Sequence, residues 1–115
     1  MRLTFCLTLI CFACASQKYE YKGRKYKIYN QESKPSNPKD VYALDLSGKG
    51  IESIPPMLVD LSNLIYLNLS RNQIHELDIN LCKLAKVKVI VMSENEIKKI
   101  NDCFFELVSL ETLSL

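Results

Sequence analysis

Leu64-Ile65-Tyr66-Leu67-Asn68-Leu69-Ser70-Arg71-Asn72-Gln73-Ile74-His75-Glu76-Leu77 is the stretch that decides the fold. Leucine or isoleucine holds its first, fourth, sixth, eleventh and fourteenth places and asparagine its ninth, so an alternating, strand-like opening breaks into a turn. The pattern recurs in strict register. Stepping back by 23 gives Val41, Leu44, Leu46, Ile51 and Ile54, and stepping forward by 23 gives Val87, Ile90, Met92, Asn95, Ile97 and Ile100. A third step gives Leu110, Leu113 and Leu115. A fixed period in the range of about 20–29 residues with this spacing marks a repeat solenoid, a class that predicts a binding surface without naming its ligand.

The stretch Ile54-Pro55-Pro56-Met57-Leu58-Val59-Asp60-Leu61-Ser62-Asn63 carries the other half of the period. With it, Val41 to Leu115 resembles a leucine-rich-repeat protein of the 23-residue subclass, known from bacterial surface proteins and Ras-pathway scaffolds. That resemblance implies an α/β-type solenoid: a parallel strand at the start of each coil, irregular or short helical convex segments, an asparagine ladder beneath the turns, and a concave face that binds other macromolecules. The units are 41–63, 64–86, 87–109 and a partial 110–115.

Inside each coil belong the columns Leu44/Leu67/Ile90/Leu113, Leu46/Leu69/Met92/Leu115, Ile51/Ile74/Ile97, Ile54/Leu77/Ile100, Leu58/Leu81/Phe104 and Leu61/Leu84/Leu107. Burial of one aliphatic side chain contributes about 1.5–3 kcal/mol, so these columns supply stability and are no ligand pocket. Asn72 and Asn95 act differently. Where the chain leaves the strand its amides and carbonyls lose sheet partners, and an inward amide side chain satisfies them from coil to coil. Lys49 replaces asparagine in the first coil, between Gly48 and Gly50, as suits a terminal repeat. Pro55 and Pro56 favour an extended convex segment and disfavour a helix starting earlier.

The remaining strand positions form the concave columns Ala43/Tyr66/Val89/Thr112, Asp45/Asn68/Val91/Ser114, Ser47/Ser70/Ser93 and Gly48/Arg71/Glu94. Tyr66, Val89 and Val91 read as an apolar centre, and Asp45, Asn68, Arg71 and Glu94 as its polar surround, the layout of a protein interface. An Arg71–Glu94 ion pair between coils is expected. Asn68-Leu69-Ser70 also matches a glycosylation sequon. Catalysis finds no support: the single histidine, His75, has neither a second metal ligand nor a serine at motif spacing, and no phosphate-cradling loop appears. No metal, cofactor or catalytic residue is assigned.

At 115 residues, 48% apolar and 24% charged, the chain has the composition of one globular domain at most. A net charge of +2 with scattered lysines excludes a nucleic-acid footprint. Residues 1–15 read as a signal peptide: Met1-Arg2, an apolar run from Leu3 to Phe12, and the small-x-small Ala13-Cys14-Ala15, with Ser16 first after cleavage. The run is short of the roughly 20 residues that span a bilayer. A second export reading makes Cys14, preceded by Ala13, the lipidated first residue of a membrane-anchored lipoprotein, although Cys11 and Phe12 depart from the lipobox. Secretion into the medium or periplasm is the first reading.

Residues 16–40 form a basic, tyrosine-rich cap and linker. A hairpin turning at Gly23-Arg24 would oppose Tyr21 to Tyr26, Tyr19 to Ile28 and Glu20 to Lys27, with one face aromatic and the other charged. Such a hairpin is expected over the open end of the first coil, covering Leu44, Leu46 and Ile51. The rival reading of Lys22, Arg24, Lys25 and Lys27 is a patch for an anionic membrane or polysaccharide. Cys6, Cys11 and Cys14 fall in the leader, leaving Cys82 and Cys103 on adjacent coils but offset by two places. That offset keeps a disulfide within reach, yet the expectation is two small buried hydrophobes.

The sequence stops one strand into a fourth repeat, which predicts solvent-facing Leu107, Leu110, Leu113 and Leu115. It reads either as part of a longer array or as an edge that pairs with another copy. The expected function is an exported, non-catalytic interaction module binding a protein or surface ligand through Asp45, Tyr66, Asn68, Arg71, Val89, Val91 and Glu94. The alternatives are a self-assembling envelope protein and the recognition fragment of a larger effector or enzyme.

Overall fold

The computed structural model describes residues 18–115; the leader, its cleavage site and Cys14 lie outside them. Eight short strands occur in this span, joined mostly by turns. Strands β3 (Ala43–Asp45), β4 (Tyr66–Asn68), β6 (Val89–Val91) and β8 (Thr112–Ser114) run parallel and side by side. Ala43 pairs with Tyr66, Tyr66 with Val89 and Val89 with Thr112, so each chain reversal returns the same place of the period to the neighbouring position. A smaller parallel pair, β5 (Glu76–Leu77) with β7 (Lys99–Ile100), follows the turns.

The principal core lies between the sheet and the segments behind it. Leu44, Leu67 and Ile90 are fully buried and meet Ile54, Leu58, Leu77, Leu81 and Phe104 from the far side. Each unit returns through a short helical segment: 3-10 turns at Pro56–Asp60 and Asp102–Glu106, and the single-turn α1 at Ile79–Cys82. Three equivalent places set where these begin. Pro55 precedes the first, while Asp78 and Asn101 cap the others by accepting from the amides of Asn80 (2.9 Å) and Cys103 (3.1 Å), satisfying donors that a helix start leaves open.

Two asparagines bind the turns together. Asn72 Oδ1 accepts from the amides of Lys49 (2.9 Å) and Ile51 (3.0 Å), and its Nδ2 donates to the carbonyls of Leu46, Leu69 and Ser70. Asn95 repeats this one unit later, accepting from Ile74 and donating to Leu69 and Met92. Leu69 O thus receives both asparagines, at 2.9 and 2.8 Å.

Three expectations are corrected here. Cys82 and Cys103 are disulfide-bonded, with Cα atoms 5.9 Å apart. The two-place offset is absorbed because α1 and the 3-10 turn of the next unit lie against each other on the convex side. Leu110 and Leu113 are buried, since their inward side chains pack onto the preceding unit, and Leu107 is partly covered; of the four terminal leucines Leu115 is the exposed one. The third correction concerns the hairpin.

Strands β1 (Lys18–Tyr21) and β2 (Arg24–Tyr29) do form an antiparallel hairpin, but its turn is Lys22-Gly23, not Gly23-Arg24. Both residues have positive φ, 49° and 77°, the backbone of a type I′ turn, which matches strand twist and accepts glycine second. Tyr19 therefore opposes Tyr26, Glu20 opposes Lys25 and Lys18 opposes Lys27. The change shifts pairing by two places, an even number, so the aromatic and charged faces remain as the alternation dictates. β2 joins the main sheet beside the first coil, Ile28 and Tyr29 pairing in parallel with Ala43 and Leu44 and Tyr29 packing on the main core, while Tyr19 and Tyr21 of β1 reach over the concave side to Tyr66 and Glu111.

Candidate functional site

The hairpin rewrites the first concave column. Tyr19 stacks on Tyr66 with ring centroids 4.6 Å apart, and Tyr19, Ala43, Tyr66 and Val89 form a second buried cluster flanked by Tyr21, Tyr26, Ile28, Ile65 and Val91. Offset aromatic stacking of this kind contributes about 0.5–1.5 kcal/mol beyond burial. Tyr26 meets Tyr42 at 5.4 Å. The Tyr21 hydroxyl donates to Glu111 Oε1 at 2.6 Å, tying the hairpin to the loop that enters β8. That bond raises the Tyr21 pKa above its ordinary value, because the phenol is the donor to a carboxylate and must keep its proton; desolvation adds in the same direction.

The seven candidate residues accordingly separate. Tyr66 and Val89, 4% and 5% exposed, are interior side chains of the hairpin–sheet cluster and offer no surface to a partner in this conformation. Asn68 is buried too: its Oδ1 accepts from both the amide and the hydroxyl of Ser70, at 3.0 and 2.6 Å. The sequon is therefore folded into an internal hydrogen-bonded turn. Asp45 and Val91 are partly exposed, and Arg71 and Glu94 are exposed. Asp45 Oδ1 accepts from the Ser47 amide at 2.8 Å, the equivalent of the Asn68 turn one unit earlier.

Arg71 and Glu94 do not form an ion pair. Among the described residues the ion pair is Lys99–Glu76 (3.4 Å), with His75 Nδ1 3.5 Å from Glu96 as a pair only when the imidazole is protonated; such solvent-accessible contacts contribute at most about 1 kcal/mol. Arg71 and Glu94 share with Gly48 a left-handed turn position just beyond the strands, φ 54°, 59° and 62°. The amides of Gly48 and Arg71 remain in the ladder, donating to Ser70 O and Ser93 O. Nothing in the bare spacing of the period announces this turn, although Gly48 at the first of the three places is a signal for it.

No group of three His, Cys, Asp or Glu residues is placed to hold a metal ion among the described residues. Two open clefts of about 330 and 320 Å³ lie away from the concave sheet, one between Pro35, Pro38 and Met57, the other beside Ile97, Ile100 and Leu115. Neither converges polar groups on a reactive side chain. The surface that the fold does offer is the C-terminal margin of the sheet, with Asp45 and Val91 on either side of Asn68 in one column and Arg71 and Glu94 adjacent in another.

No protein-family model matches the chain, and no curated protein sequence matches it. Among solved structures it is similar to a leucine-rich-repeat protein of Leptospira interrogans, at 30% identity and a TM-score of 0.61 over 69% of this chain. The chain spans about a fifth of that protein, whose coverage is 20%. The fold is thus leucine-rich-repeat-like, a mostly parallel sheet backed by short helical segments.

Proposed function

We propose that this leucine-rich-repeat-like chain is an exported, non-catalytic interaction module that binds a protein or surface ligand through the accessible margin of its concave sheet. The similarity to the Leptospira protein carries this reading. The pairing of equivalent residues 23 places apart along four strands supports assignment to the 23-residue subclass and a solenoid architecture. Export is supported by the Cys82–Cys103 disulfide, because such bonds persist in oxidising compartments and are rare in the cytosol.

The contact surface comprises Asp45, Val91, Arg71 and Glu94, with Tyr66, Asn68 and Val89 supporting it from beneath. Charged side chains at left-handed positions that glycine would occupy without strain are costly choices, and such positions concentrate where a side chain serves a function. A second reading, the recognition segment of a larger protein, is favoured by the fifth of the Leptospira protein that the chain spans.

A photo-crosslinking residue placed at Asp45 or Val91 tests the site in the producing host. Discrete protein adducts should form from both positions and not from Ile79 or Phe105, which are exposed on the convex side; adducts from the convex positions alone would reverse the assignment. Intact mass decides the anchor: a chain beginning at Ser16 is secreted, and one beginning at Cys14 with acyl chains is a lipoprotein.

A further inference from the structure

Charge is distributed very unevenly between hairpin and sheet. Residues 18–29 hold five basic side chains, Lys18, Lys22, Arg24, Lys25 and Lys27, against Glu20 alone, a net of +4. Residues 30–115 hold nine basic against twelve acidic, a net of −3. All five cations are exposed, while Tyr19, Tyr21, Tyr26 and Ile28 turn towards the sheet. By strand alternation the outward face of the ladder carries Lys18, Lys25 and Lys27 against Glu20, with Lys22 at the turn and Arg24 on the tyrosine side.

Two details exceed what solubility or edge protection requires. The register sets Lys18 directly opposite Lys27, a like-charge cross-strand pair that destabilises a ladder. A one-sided cation row is retained at the expense of hairpin stability. Lys22 and Lys27 also lie over the rings of Tyr21 and Tyr29, 5.4 and 5.0 Å from the centroids, which restricts ammonium groups that would otherwise sweep freely. The platform beneath is fixed by the Tyr19–Tyr66 stack and the Tyr21–Glu111 hydrogen bond.

We propose that the outward face of the β1–β2 hairpin, with Lys18 and Lys27 opposed, Lys25 beside them and Lys22 at the turn, binds an acidic polysaccharide. A linear polymer with regularly spaced carboxylates or sulfates matches a straight row of strand-borne cations, and its charge relieves the repulsion between Lys18 and Lys27. A membrane fits less well: three of the hairpin's tyrosines are turned inward onto the sheet, leaving Tyr29 as the aromatic on the cationic side, so the face has little to insert among lipids. Single-stranded nucleic acid is disfavoured for the same reason, since it needs aromatic rings free for base stacking.

The test uses the disulfide-bonded protein recovered from its host, with heparin and hyaluronan as polysaccharide probes. Binding is measured against vesicles of mixed phosphatidylcholine and phosphatidylserine and against a single-stranded oligonucleotide. Lys18→Gln/Lys25→Gln/Lys27→Gln should weaken binding to at least one polysaccharide by roughly tenfold or more and flatten its salt dependence. A charge-matched control, Lys34→Gln/Lys83→Gln/Lys98→Gln, should stay within about twofold of the parent, because those lysines lie off the hairpin. Glu20→Gln should tighten binding, a gain that misfolding does not produce. Equal losses in both triple variants, no binding to either polysaccharide, or tighter binding to vesicles or oligonucleotide would each overturn the proposal.

Discussion

Removing the two asparagines together should cost more than removing each separately. Asn72→Ala leaves the amides of Lys49 and Ile51 and the carbonyl of Leu46 without their side-chain partner, whereas Ser70 O retains the Gly48 amide. At about 1 kcal/mol for each group so exposed, with water reaching Lys49, the loss is roughly 2–4 kcal/mol. Asn95→Ala deprives Ile74 N and Met92 O, a cost of about 2–3 kcal/mol. In either single variant Leu69 O keeps one asparagine, because it accepts from both. Only the double variant strips this carbonyl of both, on a residue that is 0% exposed.

The double variant should therefore lose about 1–2 kcal/mol beyond the sum of the singles. Equilibrium urea unfolding of all four proteins measures this by far-ultraviolet circular dichroism. A fixed concentration of trimethylamine N-oxide keeps the weakest variant folded. Additivity within about 0.5 kcal/mol would refute the shared-acceptor reasoning, showing that water or another group serves Leu69 O.

Reduction of Cys82–Cys103, which spans 21 residues, should lower stability by about 3 kcal/mol through loop-closure entropy, read as a shifted urea midpoint; an unmoved midpoint would contradict it. Glu94→Gly should raise stability by about 0.5–1 kcal/mol, since φ there is 59°, and Gly48→Ala should lower it by about 1 kcal/mol; thermal unfolding gives both signs. Tyr21 supplies a pH test. Its pKa is raised in the folded chain, so its contribution to hairpin docking is complete below the ordinary tyrosine range near 10 and is lost as pH rises through the elevated value. In absorbance titration the parent should show a late-ionising component that vanishes in Tyr21→Phe; superimposable titrations would remove the basis for the clasp.

The hydrophobic period was legible because each coil must bury the same positions: Leu44, Leu67 and Ile90 announce one inward column whatever surrounds them. The asparagine ladder was legible for a related reason, since an amide is the side chain that can both donate and accept at one buried turn. The caps Asp78 and Asn101 emerge only with the short helical segments that they begin. The candidate site was legible as a set of columns but not as a surface.

What the period does not reveal depends on contacts between segments remote in sequence. Alternation along residues 18–29 determined which hairpin side is aromatic, but not which face of the stack would receive it. The Tyr19–Tyr66 stack and the Tyr21–Glu111 bond, across 47 and 90 residues respectively, settle that choice, and they bury Tyr66 and Val89 where the strand pattern alone exposes them. The disulfide depended likewise on how closely α1 and the next 3-10 turn approach. The repeat, its inward columns and its ladder follow from local period and side-chain chemistry, so they can be read along the chain. Which concave residues stay accessible follows from long-range packing, because accessibility depends on what the rest of the chain folds over them.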